Sequence, residues 1–346
     1  LGDVYKRQQI MLPSTGKEQY YRRIISRKEE KIMDSFIFSL NATIPIFIVI
    51  VIGYVLKQIG MLNDEFLSIT NKFNFRVTLP ALLFLDLAKT DFAHSFNGKY
   101  VLFCFFATLC SIVLIWGLAK VFLKDKSLTG EFVQASYRSS AAVLGIAFVV
   151  NICGDSGMAP LMIVGAVPLY NIFAVLILTF EGKHQEEGKG KLKKALIGIL
   201  TNPILDAIAL GFLYSILKLP MPQILNSSLD NLGRMATPLA LICIGGGFEG
   251  RKAIKMIKET LAASIIKLVI QPLLFLPVAV WLGFRGDLLV ATIIMTGSPT
   301  TPSSYIMAKN MGHEGVLTSS CVVLTTMLSA ITITAQVFIV KYFGLI

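Results

Sequence analysis

Residues 296–305 read Thr296-Gly-Ser-Pro-Thr-Thr-Pro-Ser-Ser-Tyr305, and they interrupt an otherwise apolar segment. Each proline lacks a backbone N–H, and its ring clashes with the carbonyl group four residues earlier in a helix. Two prolines three residues apart therefore exclude an uninterrupted helix. The apolar sequence on both sides still has the length that a membrane-spanning helix requires. We therefore predict a transmembrane helix that is broken in its middle.

The composition places this segment in a membrane protein. Hydrophobic residues make up 54% of the 346 residues and charged residues 15%, against about 45–50% and about 25% in soluble domains. Continuous apolar runs favour helices over a β-barrel. We predict an all-α integral membrane protein with ten transmembrane helices, at about 36–58, 65–88, 100–123, 131–152, 157–180, 193–217, 226–248, 257–282, 287–309 and 315–342.

The chain also matches itself at an offset of 158 residues. A constant offset at proline and glycine landmarks is typical of an internal duplication. The offset slips from 156 at Gly130 and Gly286 to 158 further on, which predicts a two-residue difference between the fourth and ninth spans. The matching pairs are Pro45 with Pro203, Gly53 with Gly211, Pro80 with Pro238, Gly154 with Gly312, and Gly157 with Gly315.

The duplication predicts the domain organisation. Residues 33–180 form the first repeat, 181–194 a linker, and 195–346 the second repeat, whereas 1–32 are polar and are interpreted as a non-native or disordered tail. Five spans per repeat mean that the second repeat enters the membrane from the opposite side. Such inverted repeats are characteristic of secondary transporters, whose site lies near the membrane midplane.

The distribution of basic residues predicts the orientation. Lysines and arginines concentrate in the linker and in alternate loops, which the positive-inside rule assigns to the cytoplasm. Both native termini are then outside, and linker 181–194 is cytoplasmic. The net charge of +11 follows from these loops, so it does not indicate nucleic-acid binding. The predicted location is the cytoplasmic membrane, with lipid as a partner.

The broken spans predict the ligand. Half-helix N-termini that face each other present free N–H groups and partial positive charge, which favour an anion. We therefore expect the substrate to be a small organic anion. The candidate binding residues are Ser139, Ser140, Asn171, Ser298, Pro299, Thr300, Thr301, Asn71 and Asn74.

Five charged residues in or near spans are candidates for coupling or for structure, because ionisable groups there cost about 2.5–3.5 kcal/mol each on insertion scales. Arg76 and Asp86 have a second interpretation, in which they only brace helices. Asp206 and Arg234 either form a structural ion pair or take part in coupling. The fifth is Arg138.

Four segments carry a resemblance to the auxin efflux carrier family, which includes plant carriers and bacterial malate or malonate permeases. The resemblance covers about 34–346. The segments are Asn71-Lys-Phe-Asn-Phe-Arg-Val-Thr-Leu-Pro-Ala-Leu-Leu-Phe84, Arg138 to Gly145, Thr201-Asn-Pro203 and Gly297-Ser-Pro-Thr-Thr-Pro302.

The resemblance implies a fold similar to bile-acid symporters and sodium/proton antiporters, in which helices 4 and 9 are broken and cross. It implies a scaffold of spans 1, 2, 6 and 7 and a transport domain of spans 3–5 and 8–10 that moves like an elevator. Pro299, Thr300 and Asn171 match family positions at the crossing, whereas Ser139-Ser140 replaces the plant Pro-Asn pair. Scaffold-mediated homodimers are a further implication.

The functional hypothesis is secondary transport of mono- or dicarboxylates by alternating access. No phosphate-binding motif that would indicate ATP drive occurs. An enzyme is disfavoured because the histidines His94, His184 and His313 lie away from the in-span carboxylates. We predict no metal and no cofactor. A channel or a membrane sensor for organic anions is the alternative, and the sequence leaves the coupling ion open between proton and sodium.

Overall fold

The computed structural model describes residues 43–89, 97–141, 158–181 and 200–346, and the single positions 37, 40, 41, 149 and 197. Within these residues every regular element is a helix, as predicted for an all-α protein. The predicted tail 1–32 and nearly all of linker 181–194 lie outside the described residues. The α-helices are α1 Thr43–Gln58, α2 Asp64–Phe73, α3 Leu79–Ala88, α4 Gly98–Phe122, α5 Thr129–Tyr137, α6 Ala159–Phe180, α7 Pro203–Ile216, α8 Gln223–Arg234, α9 Ala236–Gly246, α10 Gly250–Lys255, α11 Ile257–Ile265, α12 Gln271–Trp281, α13 Asp287–Gly297, α14 Ser303–Asn310 and α15 Val316–Tyr342.

Two pairs of helices continue through π-helical turns. Asn74–Thr78 joins α2 to α3, and Ile266–Ile270 joins α11 to α12. Such turns are rare and occur frequently at functional sites. They mark two positions where the helices depart from regular geometry near the middle of a predicted span.

Four helical stretches are long and apolar enough to cross a membrane: Gly98–Phe122, Pro160–Phe180, Ile257–Trp281 and Val316–Tyr342. A helix of 25 residues rises about 37 Å, more than the hydrocarbon core of about 30 Å. Large apolar side chains cover their outer surface, as lipid contact requires. Three shorter apolar helices, α1, α7 and α13, accompany them. The protein is therefore a multi-pass membrane protein.

Side-chain caps fix where several helices begin. The Asn63 side chain accepts a hydrogen bond from the Phe66 N–H at the start of α2, and Asn97 does the same for Tyr100 at the start of α4. Asn202 caps α7, whose first residue is Pro203. Asparagine at the cap and proline in the first turn are both favourable at a helix N-terminus. The sixth predicted span, 193–217, is thus interrupted at Asn202.

The helices pack as two groups. In the first group α3 lies against α7 and α8, and α9 lies against α2. In the second group α4 packs on α6, α12 on α13, and α11 on α15. The buried core of the second group contains large side chains such as Tyr100, Ile112 and Met162. The candidate site lies where the two groups meet.

The fourth and ninth predicted spans are both interrupted. The ninth consists of α13 and α14, with residues 298–302 between them. The fourth begins as α5 and leaves helical geometry at Arg138, while its continuation over 142–148 and 150–152 lies outside the described residues. Helix α13 has 11 residues and α5 has 9.

Candidate functional site

The two interruptions are in direct contact. Arg138 follows α5 with ψ 137°, and Ser298 follows α13 with ψ 157°, so both chains become extended. The Ser140 N–H donates to the Pro299 carbonyl oxygen at 2.9 Å. This single hydrogen bond joins the two extended segments at their crossing.

Side chains hold this crossing in place. The Thr300 N–H donates to Thr325 Oγ1 at 3.0 Å, and the Thr300 hydroxyl donates to the Ala135 carbonyl oxygen at 2.7 Å. Gln134 Nε2 donates to the Ser304 carbonyl oxygen at 3.0 Å. Backbone groups that the breaks release from helical pairing thereby gain partners, which buried polar groups require. The crossing is a rigid, bonded structure.

Arg138 is almost completely buried at this crossing, with 2% of its surface exposed. One terminal guanidinium nitrogen, Nη2, donates to Asn171 Oδ1 at 2.8 Å and to Ser303 Oγ at 3.0 Å. The other, Nη1, lies 2.8 Å from Met307 Sδ. Its Nε has no hydrogen-bond partner in the described part of the chain. All three partners are neutral, so they orient the guanidinium without neutralising its charge.

A small cavity of about 50 Å³ lies beside Arg138, between the first and second helix groups. Apolar side chains of α3, α7 and α9 form one wall, and polar side chains of the crossing form the other. Asp86 on α3 also lines this cavity. The polar and charged lining residues are Asp86, Arg138, Ser139, Ser140, Tyr170, Asn171, Thr237, Thr301 and Ser303.

Arg138 and Asp86 are the two charged side chains that line the cavity, and the cation is the one that lies at the crossing. Arg138 is the only cationic residue among the lining residues, and no carboxylate of the described residues forms an ion pair with it. Helix α14 begins at Ser303, so its N-terminal end adds partial positive charge at the same wall. A buried guanidinium that lacks a counter-ion is expensive unless a ligand supplies one.

A hydroxyl layer supports the crossing from the side of α6 and α13. Ser139 Oγ and Tyr170 OH both donate to the Met295 carbonyl oxygen near the end of α13. Tyr137 OH donates to the Tyr170 carbonyl oxygen at 3.0 Å. The Ser139 hydroxyl therefore helps to fix the geometry of the crossing. Ser139 also lines the cavity.

Several predicted binding residues do not line the central cavity. Asn74 donates to the Ala236 carbonyl oxygen at 2.9 Å and accepts from the Thr78 hydroxyl at 2.6 Å, which ties α2 to α9. Ser298 is fully buried, and its hydroxyl has no partner among the described residues. Pro299 and Thr300 contribute to the crossing itself. Of the predicted set, Ser139, Ser140, Asn171 and Thr301 line the cavity.

Asn71 lines a second cavity of about 620 Å³. This cavity lies between α1, α2 and the end of α9 on one side and α14 on the other, and it contains Lys57, Lys72 and Lys309. Lys57 pairs with Asp64 at 2.6 Å. The cavity follows the boundary between the two helix groups, as an access route to the crossing would.

The five charged candidates lie in different environments. Arg76 is exposed on the helix surface and Asp206 is exposed near the start of α7. Arg234 pairs with Asp230 at 2.7 Å, one turn earlier on α8. The ion pair of Arg234 is thus with its i, i+4 neighbour on the same helix. Arg138 and Asp86 remain at the cavity.

Two buried charges were missed by the sequence analysis. Glu131 on α5 accepts hydrogen bonds from the Gly315 N–H at 2.7 Å and the Thr318 N–H at 3.0 Å, so its carboxylate caps α15. Lys267 is fully buried and donates to the Thr296 carbonyl oxygen at 2.6 Å. A lone charge in an apolar span was the available signal, since such residues are rare there.

No metal site can be assigned in the described ranges. They contain no group of three or more His, Cys, Asp or Glu side chains that could hold a metal ion. His313 is buried, but its Nε2 lies 3.0 Å from the Leu178 carbonyl oxygen. Glu131, which caps α15, already accepts backbone hydrogen bonds.

The chain is similar to known membrane transport proteins. A family model described as "Membrane transport protein" matches residues 38–337. An uncharacterized transporter of Methanothermobacter thermautotrophicus is 23% identical over 301 residues, which are 86% of this chain and 97% of that protein. A Rhizobium meliloti protein provisionally named as a malonate transporter is 22% identical over 308 residues, which are 86% of this chain and 94% of that protein.

A longer protein also matches this chain. The lysosomal cholesterol signaling protein of Mus musculus is 23% identical over 321 residues, which are 84% of this chain and 36% of the mouse protein. The shared region is thus one part of a longer protein there, whereas it makes up nearly all of the two microbial relatives.

Proposed function

The chain belongs to the membrane transport protein family, and from that premise we propose that it is a secondary transporter of small organic anions across the cytoplasmic membrane. The family match and the names of the relatives identify a membrane transporter rather than an enzyme. The proposed substrates are mono- or dicarboxylates. The Rhizobium meliloti relative supports a dicarboxylate such as malonate as the first compound to test.

One observation carries the substrate class. Arg138 is buried at the helix crossing, lines the central cavity and is held only by neutral groups. A guanidinium binds a carboxylate through paired N–H donors, and the pairing is strongest where water is excluded. Ser140, Asn171, Thr301 and the start of α14 surround the same space. The proposed anion binds there and supplies the missing counter-charge.

Symmetric contacts support the proposed inverted repeat. A Cβ atom on Gly53 would lie 2.5 Å from the Ile242 carbonyl oxygen, and one on Gly211 would lie 2.7 Å from the Phe84 carbonyl oxygen. Gly211 follows Gly53 by 158 residues, and Ile242 follows Phe84 by the same 158. A pseudo-two-fold axis relates contacts in this reciprocal way. The proposal is therefore ten spans in two inverted sets of five, with helices 4 and 9 broken and crossing.

The glycine contacts make this architecture testable. Gly53→Ala and Gly211→Ala should each destabilise the protein by about 1–3 kcal/mol, because the added methyl group overpacks a helix–helix contact. Gly117→Ala is the control, since a Cβ there meets nothing within 4 Å and alanine favours the helix. Thermal unfolding midpoints in detergent measure all three. Unequal behaviour of Gly53 and Gly211 would contradict the proposed symmetry.

The proposed mechanism is an elevator movement. The scaffold corresponds to α1–α3 and α7–α9, and the transport domain to α4–α6 and α11–α15. Both the central cavity and the larger cavity with Lys309 lie on the boundary between these groups. Sliding along this boundary would expose the crossing to either side in turn. The proposed orientation has both native termini outside and linker 181–194 in the cytoplasm.

Counterflow in proteoliposomes tests this proposal. Vesicles loaded with unlabelled malonate should take up labelled malonate transiently, and uptake should saturate with concentration. A channel would instead give uptake that does not saturate and does not overshoot. Absence of flux for malonate and for a panel of other mono- and dicarboxylates would contradict organic anion transport. Imposed proton or sodium gradients then identify the coupling ion.

A further inference from the structure

Among the described residues, Lys267 is the one buried lysine or arginine that the proposed binding site does not use. It lies in the π-helical turn Ile266–Ile270 and is fully buried. Its Nζ donates to the Thr296 carbonyl oxygen at 2.6 Å, the only hydrogen bond of this ammonium group among the described residues. An ammonium group has three donors, so most of its hydrogen-bonding capacity is unmet. From this arrangement we infer that Lys267 is the proton-binding residue that couples anion transport to protons.

The position of Lys267 connects it to the anion site. Thr296 belongs to the last turn of α13, where the helix carries partial negative charge. Met295, the residue before Thr296, accepts hydrogen bonds from Ser139 and Tyr170 through its carbonyl oxygen. Both Ser139 and Tyr170 line the central cavity. Lys267 is thus connected to the crossing through the last turn of α13. Protonation of Lys267 adds positive potential beside the anion, and deprotonation removes it.

No carboxylate in the described part of the chain forms an ion pair with Lys267. The charged residues on its own stretch are Lys258 and Glu259, which are eight or more residues away, or about 12 Å along the axis. On the packed helices, Glu131 of α5 caps α15 instead. Asp287 lies at the opposite end of α13, and Lys341 near the distal end of α15. Arg138 directs its guanidinium toward Asn171 and Ser303.

Thr296, whose carbonyl oxygen accepts the Lys267 hydrogen bond, lines a small polar cavity. This cavity of about 10 Å³ is lined by Ser111, Tyr170, Gln271 and Thr296, among others. Tyr170 also lines the central cavity, and Gln271 begins α12 four residues after Lys267. The Ser111 hydroxyl is buried without a partner in the described part of the chain. These hydroxyl and amide groups provide a short polar route for a proton.

The coupling scheme follows from linkage, and it rests on the proposed function. A proton on Lys267 favours anion binding, so by reciprocity a bound anion favours the proton. The loaded transport domain therefore carries one anion and one proton together, and the empty domain returns without either. The result is anion–proton symport, in which the proton gradient drives accumulation of the anion.

Accumulation of labelled malonate in proteoliposomes tests this inference, with pH 7 outside, pH 8 inside and the membrane potential clamped at zero. Wild-type protein should accumulate malonate, up to about tenfold for one proton per anion and one pH unit. Lys267→Met should abolish accumulation. Lys267→Arg, whose charge is permanent, should retain counterflow but lose accumulation. Lys258→Met removes an exposed lysine of the same stretch and should match wild type.

The outcomes separate the two proposals. No malonate counterflow in wild type would contradict the proposed function itself. Counterflow together with undiminished gradient-driven accumulation in Lys267→Met would overturn the role of Lys267 alone. A second readout uses wild-type protein only, so it does not depend on how well Lys267→Met folds. A pH-indicator dye in weak buffer should report proton uptake when malonate binds, and absence of that uptake would overturn the inference.

Discussion

The two breaks that cross at the centre of this protein are built differently. The second, at residues 298–302, contains Pro299 and Pro302 and no charged side chain, whereas the first, at residues 138–140, contains Arg138 and no proline. The prolines exclude helix without help from other residues. The first break depends on bonds to its surroundings, including the Ser140 N–H to the Pro299 carbonyl oxygen. One break therefore has prolines that fix its backbone, and the other has the buried charge to which we assign the ligand in the proposed function.

Substitution of Arg138 in the first break should have the largest effect on malonate uptake. Arg138→Gln should lower the initial rate of malonate uptake by at least about 30-fold, since removing one partner of a buried charge pair costs about 2 kcal/mol or more. Arg138→Lys should retain part of the activity, because it keeps the charge but loses the paired donors. Uptake into proteoliposomes at equal protein density measures both.

The matched control for Arg138 is Arg234→Gln. Arg234 is an exposed arginine paired with Asp230 on its own helix, and exposed pairs contribute little. The uptake rate of the Arg234→Gln variant should therefore stay within about twofold of wild type. Equal losses in Arg138→Gln and Arg234→Gln would contradict the assignment of the ligand charge to the first break.

Substitution of the prolines in the second break should lower malonate uptake less than Arg138→Gln does. In the double variant with Pro299→Ala and Pro302→Ala, a continuous helix becomes accessible, because each proline had opposed it by about 3 kcal/mol. We expect uptake to fall by about tenfold, as binding groups displaced by about 1 Å lose much of their interaction. Pro277→Ala, an exposed proline inside α12, should leave uptake unchanged. Wild-type uptake in the double variant would show that the prolines do not maintain the break.

The smallest expected effects are changes in stability after substitution of the hydroxyl residues in the second break. Thr300→Val keeps the shape of the side chain but leaves the Ala135 carbonyl oxygen without its 2.7 Å donor, which should cost about 1–3 kcal/mol of stability. Ser298→Ala removes a buried hydroxyl that has no partner among the described residues, so stability should be unchanged or higher. Thermal midpoints of the purified variants give the comparison. A larger loss for Ser298→Ala than for Thr300→Val would contradict the hydrogen-bond assignment.

The contrast between the breaks also marks what could be predicted from the sequence. Apolar run length predicted the all-helical membrane class, and the two prolines predicted the interruption between α13 and α14. Proline acts locally, so its effect is visible in the sequence. Arg138 was recognised only as a charge in a span, because its neutral partners Asn171 and Ser303 lie far along the chain.

Residues whose roles depend on tertiary packing were not predicted. Nothing local to Lys267 or Glu131 indicates that the first contacts α13 and the second caps α15. For Arg234, the sequence analysis left open a structural pair with Asp206 or a coupling role, whereas the structure pairs it with Asp230. The spacing of Asp230 and Arg234 on one helix was the stronger signal.

Equilibrium binding of labelled malonate to the purified protein tests the central claim most directly. The account predicts saturable binding to wild type and to Arg234→Gln, displaced by unlabelled carboxylates but not by the neutral diamide of malonate. It predicts loss of that binding in Arg138→Gln. Binding of equal affinity in Arg138→Gln, or displacement by the neutral diamide as effectively as by malonate, would contradict an anion site at the crossing of the two breaks.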